Sequence, residues 1–241
     1  MAAGPAHLET PMVEDHFREG QATAVLCSAG LDSAVLVADL SRTARVTPVY
    51  VSVGLAWEPA ERRALARLLT RPPFDGRVDP PVSLTVDMRD VYPSTHWAVR
   101  GEPPAFDTPD EDVYLVGRNL VLLAKAAVLC CQRRIPRIAL GPLAGNPFPD
   151  ATPAFFSAMA RAASLGLDHA IEIATPYSAL HKVDVVRRGL ELGVPLDLTL
   201  SCMNPQEDLH CGQCSKCRER HDAFVDAGLD DSTRYAGPLP R

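Results

Sequence analysis

The chain is predicted to fold as an α/β protein, a doubly wound, mostly parallel five-stranded sheet with a small metal-binding segment at its C-terminal end. Three observations carry this. Strand-forming apolar runs alternate with helical runs in the order β-α-β-α-β through Val86, the pattern of a parallel sheet with right-handed crossovers. The first apolar run, Val25-Leu26-Cys27, breaks into Ser28-Ala29-Gly30-Leu31-Asp32-Ser33 before a helical period begins, a strand, tight loop and helix start of the kind that receives an anion. Near the other end, Cys202, Cys211, Cys214 and Cys217 are spaced C-x8-C-x2-C-x2-C, which suits tetrahedral zinc held by four thiolates.

Taken in order, residues 1–20 mix Pro, Gly, His and acids without periodicity and read as a loose tail. After the loop, Leu31, Val35 and Ala38 mark a helix packed on a sheet. Val46 to Val53 reads as the second strand, with Pro48 near its start. Pro59 to Leu69 is a helix placing Ala64, Leu65, Leu68 and Leu69 on one face, and Val82 to Val86 is the third strand. The acidic, Pro-interrupted stretch from Asp87 to Asp112, with His96-Trp97 inside it, is long enough to be either a substrate-binding loop or decoration.

Leu120 to Cys131 is apolar nearly all round and reads as a buried helix. The Gly117-Arg118-Asn119 turn before it either offers a guanidinium and an amide to a polyphosphate or is an ordinary cap through Asn119. Ile138 to Gly141 is the fourth strand, and Asp150 either caps the helix Pro153 to Leu165 or faces a ligand. Ala170 to Ile173 is the fifth strand. The helix from His181 to Leu192 has Val183, Val186 and Leu190 on one face and Lys182 in its first turn, where a cation opposes the helix dipole and so invites a functional reason. These elements divide the chain into the tail, a sheet-bearing domain at 21–197 and a metal-binding segment at 198–241.

Composition narrows the function. A net charge of −6 offers no bulk attraction for nucleic acid. No apolar run is long enough to span a bilayer and no signal pattern opens the chain, so a cytoplasmic protein acting on small molecules is expected, with a homodimer possible. Crowded cysteines in a reducing compartment point to metal and not to disulfides. Arginines outnumber lysines 21 to 3, which draws notice to Lys125, Lys182 and Lys216. The pair Arg218 and Arg220 beside the cysteines would suit a nucleic-acid zinc ribbon, against which the acidic balance argues.

Ser28 to Ser33 resembles the Ser-Gly-Gly-X-Asp-Ser loop of the PP-loop ATP pyrophosphatases, with Ala29 at the first Gly. That departure matters only if the position needs a positive φ. Together with Gly-Arg-Asn, Phe-Pro-Asp, Thr175-Pro176 with Lys182 downstream, and Ser-Cys followed by Cys-Gly-X-Cys-X-X-Cys, the chain resembles the 7-cyano-7-deazaguanine synthases of queuosine and related deazapurine biosynthesis over residues 22 to 230. The resemblance implies an adenine nucleotide alpha hydrolase-like PP-loop fold over 21–197. It implies a ligase that uses ATP and ammonia to convert 7-carboxy-7-deazaguanine to its nitrile through an adenylate and an amide.

The same resemblance implies an ATP site at Leu26, Cys27, Ser28, Ala29, Gly30, Leu31, Asp32, Ser33, Gly117 and Asn119, and catalytic roles for Asp32, Arg118 and Lys182. Magnesium near Asp32, structural zinc on the four cysteines and substrate contacts from Trp97 and Asp150 complete the expectation. Such chemistry needs mainly positioning and charge neutralisation, so no general base has to be visible.

Departures fall where the family has Tyr-Gly-Gln after the second strand, at Phe148 in place of Tyr, at Ala151-Thr152 in place of Cys-Arg, and at Leu200 and Met203 in place of Trp and Tyr. These positions are expected to line the base pocket. An enzyme that stops at the amide or adenylates another carboxylate, an ATP-binding regulator, and a tRNA-modifying PP-loop protein are the alternatives.

Overall fold

Five strands, all parallel, stand in the order β3-β2-β1-β4-β5. In this computed structural model, which describes residues 20–240, they are β1 (Thr23–Leu26), β2 (Val46–Ser52), β3 (Val82–Thr85), β4 (Arg137–Ala139) and β5 (Glu172–Ala174). The predicted tail, Gly20 aside, lies outside the described residues. Helices connect the strands: α1 (Leu31–Leu40), α2 (Glu58–Leu68), the short α3 (Trp97–Arg100), α4 (Arg118–Arg133), α5 (Pro153–Leu167), α6 (Lys182–Glu191) and α7 (Ser215–Ala227).

Alternation along the central strands sends Val25 and Tyr50 to one apolar cluster and Ala24, Val49 and Val51 to the other. A parallel sheet buried on both faces must be apolar on both. The first cluster gathers α1, α2, α6 and the cysteine segment, and the second gathers α4 and α5. Pro48, which has no N–H to give, precedes the β2–β3 ladder that begins at Val49.

Two helices differ from their sequence pattern. The helix expected to be buried all round exposes Leu120 and Val128 while burying Leu123, Ala126, Ala127 and Cys130, because only one side of α4 meets the sheet. In α6 the buried face is Val185, Val186 and Gly189, and Leu190 is half-exposed. A Cβ on Gly189 would lie 2.9 Å from both Val35 and Leu196 side-chain atoms, so α6 sits closer to α1 than a larger residue allows. Among the described residues no helix is long and apolar enough to cross a membrane.

Candidate active site

Strand order reverses between β1 and β4, and a crevice opens at the carboxyl ends of strands at such a point. The loop after β1 and the Gly141–Asn146 loop after β4 form its edges. Here Ala29 adopts φ +63, so the position does need the left-handed conformation and a residue with a Cβ occupies it at a cost of about 1 kcal/mol. The fully buried methyl and the Leu200 N–H to Ala29 O bond of 2.8 Å hold the turn in place. Gly30 has an ordinary φ of −60 and caps α1. A Cβ there would stand 3.7 Å from Ser28 Oγ and 3.8 Å from Ser33 Oγ, filling the cradle between two hydroxyls at a helix N-terminus where phosphate oxygens are favoured.

Two adjoining cavities flank the loop. The smaller, about 270 Å³, is lined by Leu26, Cys27, Ser28 and Ser33, the β2 stretch Val49–Val51, Asn119 and Asp150, and it carries the stacked pair Tyr114–Phe148 with centroids 5.0 Å apart. The larger, about 470 Å³, is lined by Ser28, Gly30, Leu31 and Asp32, by Trp57 and Trp97, and by Lys182, Lys216 and Glu219. Trp57 and Trp97 stack at 5.7 Å with planes 11° apart, and His96 and Tyr92 continue the stack behind them. Arg118 lines both cavities, and its Nε is buried without a hydrogen-bond partner among the described residues.

Charge in the larger cavity is organised around Lys182. Its Nζ lies 2.5 Å from Asp32 Oδ2 and 2.9 Å from Glu219 Oε1. Burial opposes a charged lysine, yet the Asp32 and Glu219 carboxylates outweigh it and hold Lys182 above its ordinary pKa. Burial likewise penalises the Glu219 carboxylate, and Lys182 and Lys216 overcome it to pull Glu219 down to about 2. The remaining oxygen of Asp32, Oδ1, is buried without a hydrogen-bond partner among the described residues.

Asn119 and Asp150 come together at the start of α4. Asp150 Oδ2 accepts the Asn119 N–H at 2.9 Å, and Asn119 Nδ2 donates to Asp150 O at 3.0 Å. The cap of α4 is Gly117 at φ +74, with Asn119 inside the first turn, so Asn119 does not cap the helix through its own side chain. Asp150 does not cap α5 either, since Thr152 Oγ1 accepts the Phe155 N–H there.

The four cysteines meet as the spacing expects. Their sulfurs lie within 4.8 Å of one another and all four residues are buried. Separations of 3.5 Å for Cys214–Cys217, 3.9 Å for Cys211–Cys217 and 4.0 Å for Cys202–Cys214 match the edges, about 3.8 Å, of a tetrahedron with 2.3 Å metal–sulfur bonds. Backbone N–H groups of Asn204 and Cys211 point at Cys202 Sγ, and that of Gln213 at Cys211 Sγ, which favours thiolates.

Neither neighbouring arginine presents itself to a nucleic acid. Arg218 donates to Phe106 O and Thr108 O, pinning the long segment before α4 onto α7. Arg220 is 1% exposed and donates to Thr233 Oγ1, Thr199 Oγ1, Ser201 Oγ and Leu196 O.

Sequence reasoning missed several members of the site. Glu61 is buried, accepts from Tyr50 OH at 2.9 Å and faces both cavities, with burial pushing its carboxyl up. Its helical register showed only an acid on a polar face. Glu219 lay in a charged run, whereas the rarity of lysine did single out Lys216. Lys125, raised by the same argument, is exposed on α4. Among the altered family positions, Phe148, Leu200 and Met203 do line the cavities.

A family model described as "Queuosine biosynthesis protein QueC" matches residues 22–228. The chain is 35% identical over 230 residues to a 7-cyano-7-deazaguanine synthase of Methanopyrus kandleri, covering 88% of this chain and 98% of that protein. It is 33% identical over 222 residues to the enzyme of the same name from Methanothrix thermoacetophila, covering 87% and 96%. With that of Koribacter versatilis it shares 32% over 234 residues, covering 91% and 95%.

Proposed function

Because the chain belongs to the QueC family, whose members are 7-cyano-7-deazaguanine synthases, we propose that its two adjoining cavities divide that family's reaction between ATP and the acceptor. Its activity is the ATP-dependent ligation that makes 7-cyano-7-deazaguanine in queuosine biosynthesis. The Ser28–Ser33 loop carries the proposal for the site, standing where strand order reverses with Lys182 drawn onto Asp32.

Ser28, Gly30 and Ser33 hold the β,γ-pyrophosphate through hydroxyl and N–H donors, with Leu26, Cys27, Ala29 and Leu31 framing the loop. Arg118 reaches the phosphates through its unpartnered Nε, aided by Gly117 and Asn119, which shape the α4 terminus. The Tyr114–Phe148 wall with the β2 edge receives adenine, and the Trp57–Trp97 wall receives the deazapurine. Asp150 orients Asn119 at the mouth, and Trp97 is the substrate contact. Asp32 would ligate magnesium through Oδ1, and the metal would supply charge neutralisation for the phosphates.

The acceptor carboxylate attacks the α-phosphorus, pyrophosphate leaves, and ammonia displaces AMP to give the amide. Adenylation of the amide oxygen by a second ATP and loss of AMP then leave the nitrile. At each step Lys182 and Arg118 offset the charge of the leaving group. Zinc on the four cysteines is structural, because four sulfurs leave no open position for water.

The segment 198–241 caps the ATP-binding unit 21–197, small molecules are its partners, and the cytoplasm is its compartment. The exposed Leu120 and Val128 on α4 support a homodimer.

Asp32→Ala, Ser33→Ala and Lys182→Ala test the site. Each is expected to lower kcat for pyrophosphate release about 10²-fold or more with the far-ultraviolet circular dichroism spectrum unchanged. Undiminished turnover in all three would refute the assignment.

A further inference from the structure

The lysine that sequence rarity singled out and the family's reaction did not absorb is Lys216. We propose that Lys216 is a second anion-binding residue of the larger cavity, that it takes the carboxylate of the acceptor, and that Glu219 is the positioning residue for it and for Lys182. The proposal rests on the reading of the cavity given above.

Glu219 stands in α7 and divides its two oxygens between two helices. Oε1 is 2.9 Å from Lys182 Nζ at the start of α6, and Oε2 is 2.5 Å from Lys216 Nζ in the first turn of α7. Lys182 continues to Asp32 in the phosphate loop at 2.5 Å. Two of the three lysines in the chain thus share one carboxylate. An ordinary i, i+3 pair on a helix surface would neither reach a lysine of another helix nor line a cavity, whereas here Glu219 reaches Lys182 of α6 and all three side chains line the cavity.

The chain of contacts has a direction. Lys182 is committed to Asp32, on the phosphate side. Lys216 lies beyond the opposite oxygen of Glu219, facing Asp110, whose Oδ1 is 3.8 Å away and is buried with no hydrogen-bond partner among the described residues. Asp110 belongs to the same long segment as Trp97, one wall of the cavity, and Arg218 ties that segment to α7. Lys216 therefore lines the same cavity as the phosphate loop and the aromatic wall.

An acceptor carboxylate must approach a polyanion before it reacts. An ammonium held at this place offsets that repulsion while the carboxylate oxygen forms its bond to the α-phosphorus and the bond to the pyrophosphate oxygen breaks. The substitution needs no proton or electron from Lys216, which acts through charge and orientation.

The test uses the full-length, metal-loaded protein with 7-carboxy-7-deazaguanine, ammonium and magnesium ATP, following pyrophosphate release. ATP affinity is read separately by titration calorimetry with magnesium ATP in the absence of the acceptor. Lys216→Gln is expected to raise KM for the acceptor about tenfold or more, the loss of one charge-assisted contact, with ATP affinity held within about twofold. Lys216→Arg restores most of the loss. Glu219→Gln raises the same KM and also lowers kcat, because it releases Lys182. An unchanged acceptor KM in Lys216→Gln would overturn the proposal, as would a loss of ATP affinity with that KM intact. Loss of zinc or of thermal stability alongside the KM change would make Lys216 a structural residue and overturn it too. If the unmutated protein releases no pyrophosphate, the reading of the cavity fails independently of Lys216.

Discussion

The loop after β1 and the cysteine segment both bring function to the same cavity, but they are built from different materials. The loop is framed by a buried strand and a buried helix, so its geometry follows from the apolar sheet and from local turn chemistry. The segment before and within α7 is stitched by four sulfurs, by Arg218 and Arg220, and by Arg63 and Arg67 of α2 reaching Asp208. The segment also joins the apolar cluster through Leu200, Met203, Ala223 and Phe224, but where the loop rests on that burial alone, the segment depends as well on its sulfur cluster and its few polar spokes. Yet the second region supplies Lys216 and Glu219 to the site, so the cavity inherits the fragility of its weaker wall.

The sharpest way to break the comparison is at the metal. Structural zinc in small sites contributes about 10 kcal/mol or more at neutral pH. Cys214 is the cap of α7, and Cys217 lies in its first turn. Cys214→Ser, or prolonged treatment with a strong chelator, is expected to abolish turnover and lower the thermal midpoint by about 20 °C or more while leaving the sheet's circular dichroism in place. Metal analysis of the pure protein is expected to give about one zinc per chain. A protein that is fully active without metal would remove the distinction between the two regions.

The next largest effect is expected at Arg220. Four donors to neutral oxygens hold a guanidinium that is 1% exposed, and removing one partner of such a buried network typically costs about 3 kcal/mol. Arg220→Met removes all four of these hydrogen bonds from a buried site, so urea unfolding should shift to lower midpoint. No shift would mean that the spokes carry little and the sulfurs carry the segment alone.

How much of this was legible depends on whether the signal is local. Alternating strands and helices, the Ser28–Ser33 loop and the cysteine quartet are each written in a short window, and they lead to the parallel sheet, the loop at its carboxyl edge and the sulfur cluster. Lys182 was found because a cation at a helix start opposes the dipole. What escaped depends on pairs far apart in the chain. Glu61 meets Tyr50 across a strand–helix connection, and Glu219 meets Lys182 across two helices. Asp150 turns back to Asn119 instead of capping the helix that follows it. The exposed stripe of α4 escaped because composition reports how apolar a helix is, not how many sides its neighbours cover.

The smallest effect sharpens the comparison from the side of the loop. Ala29 holds φ +63, and glycine adopts that conformation without the Cβ penalty of about 1 kcal/mol. Ala29→Gly is therefore expected to raise the thermal midpoint by a few degrees or leave it unchanged, the gain being offset by the buried methyl it removes, with ATP affinity preserved. A collapse of ATP affinity would show that the methyl itself shapes the cradle.

The central claim is that this cavity activates a carboxylate by adenylation. Mass spectrometry of the products formed from 7-carboxy-7-deazaguanine, ATP and ammonium tests it most directly. The account predicts two AMP and two pyrophosphate for each nitrile formed, all dependent on the carboxylate. ADP and inorganic phosphate as the nucleotide products, or the acid recovered unchanged from zinc-loaded protein that binds ATP, would contradict it.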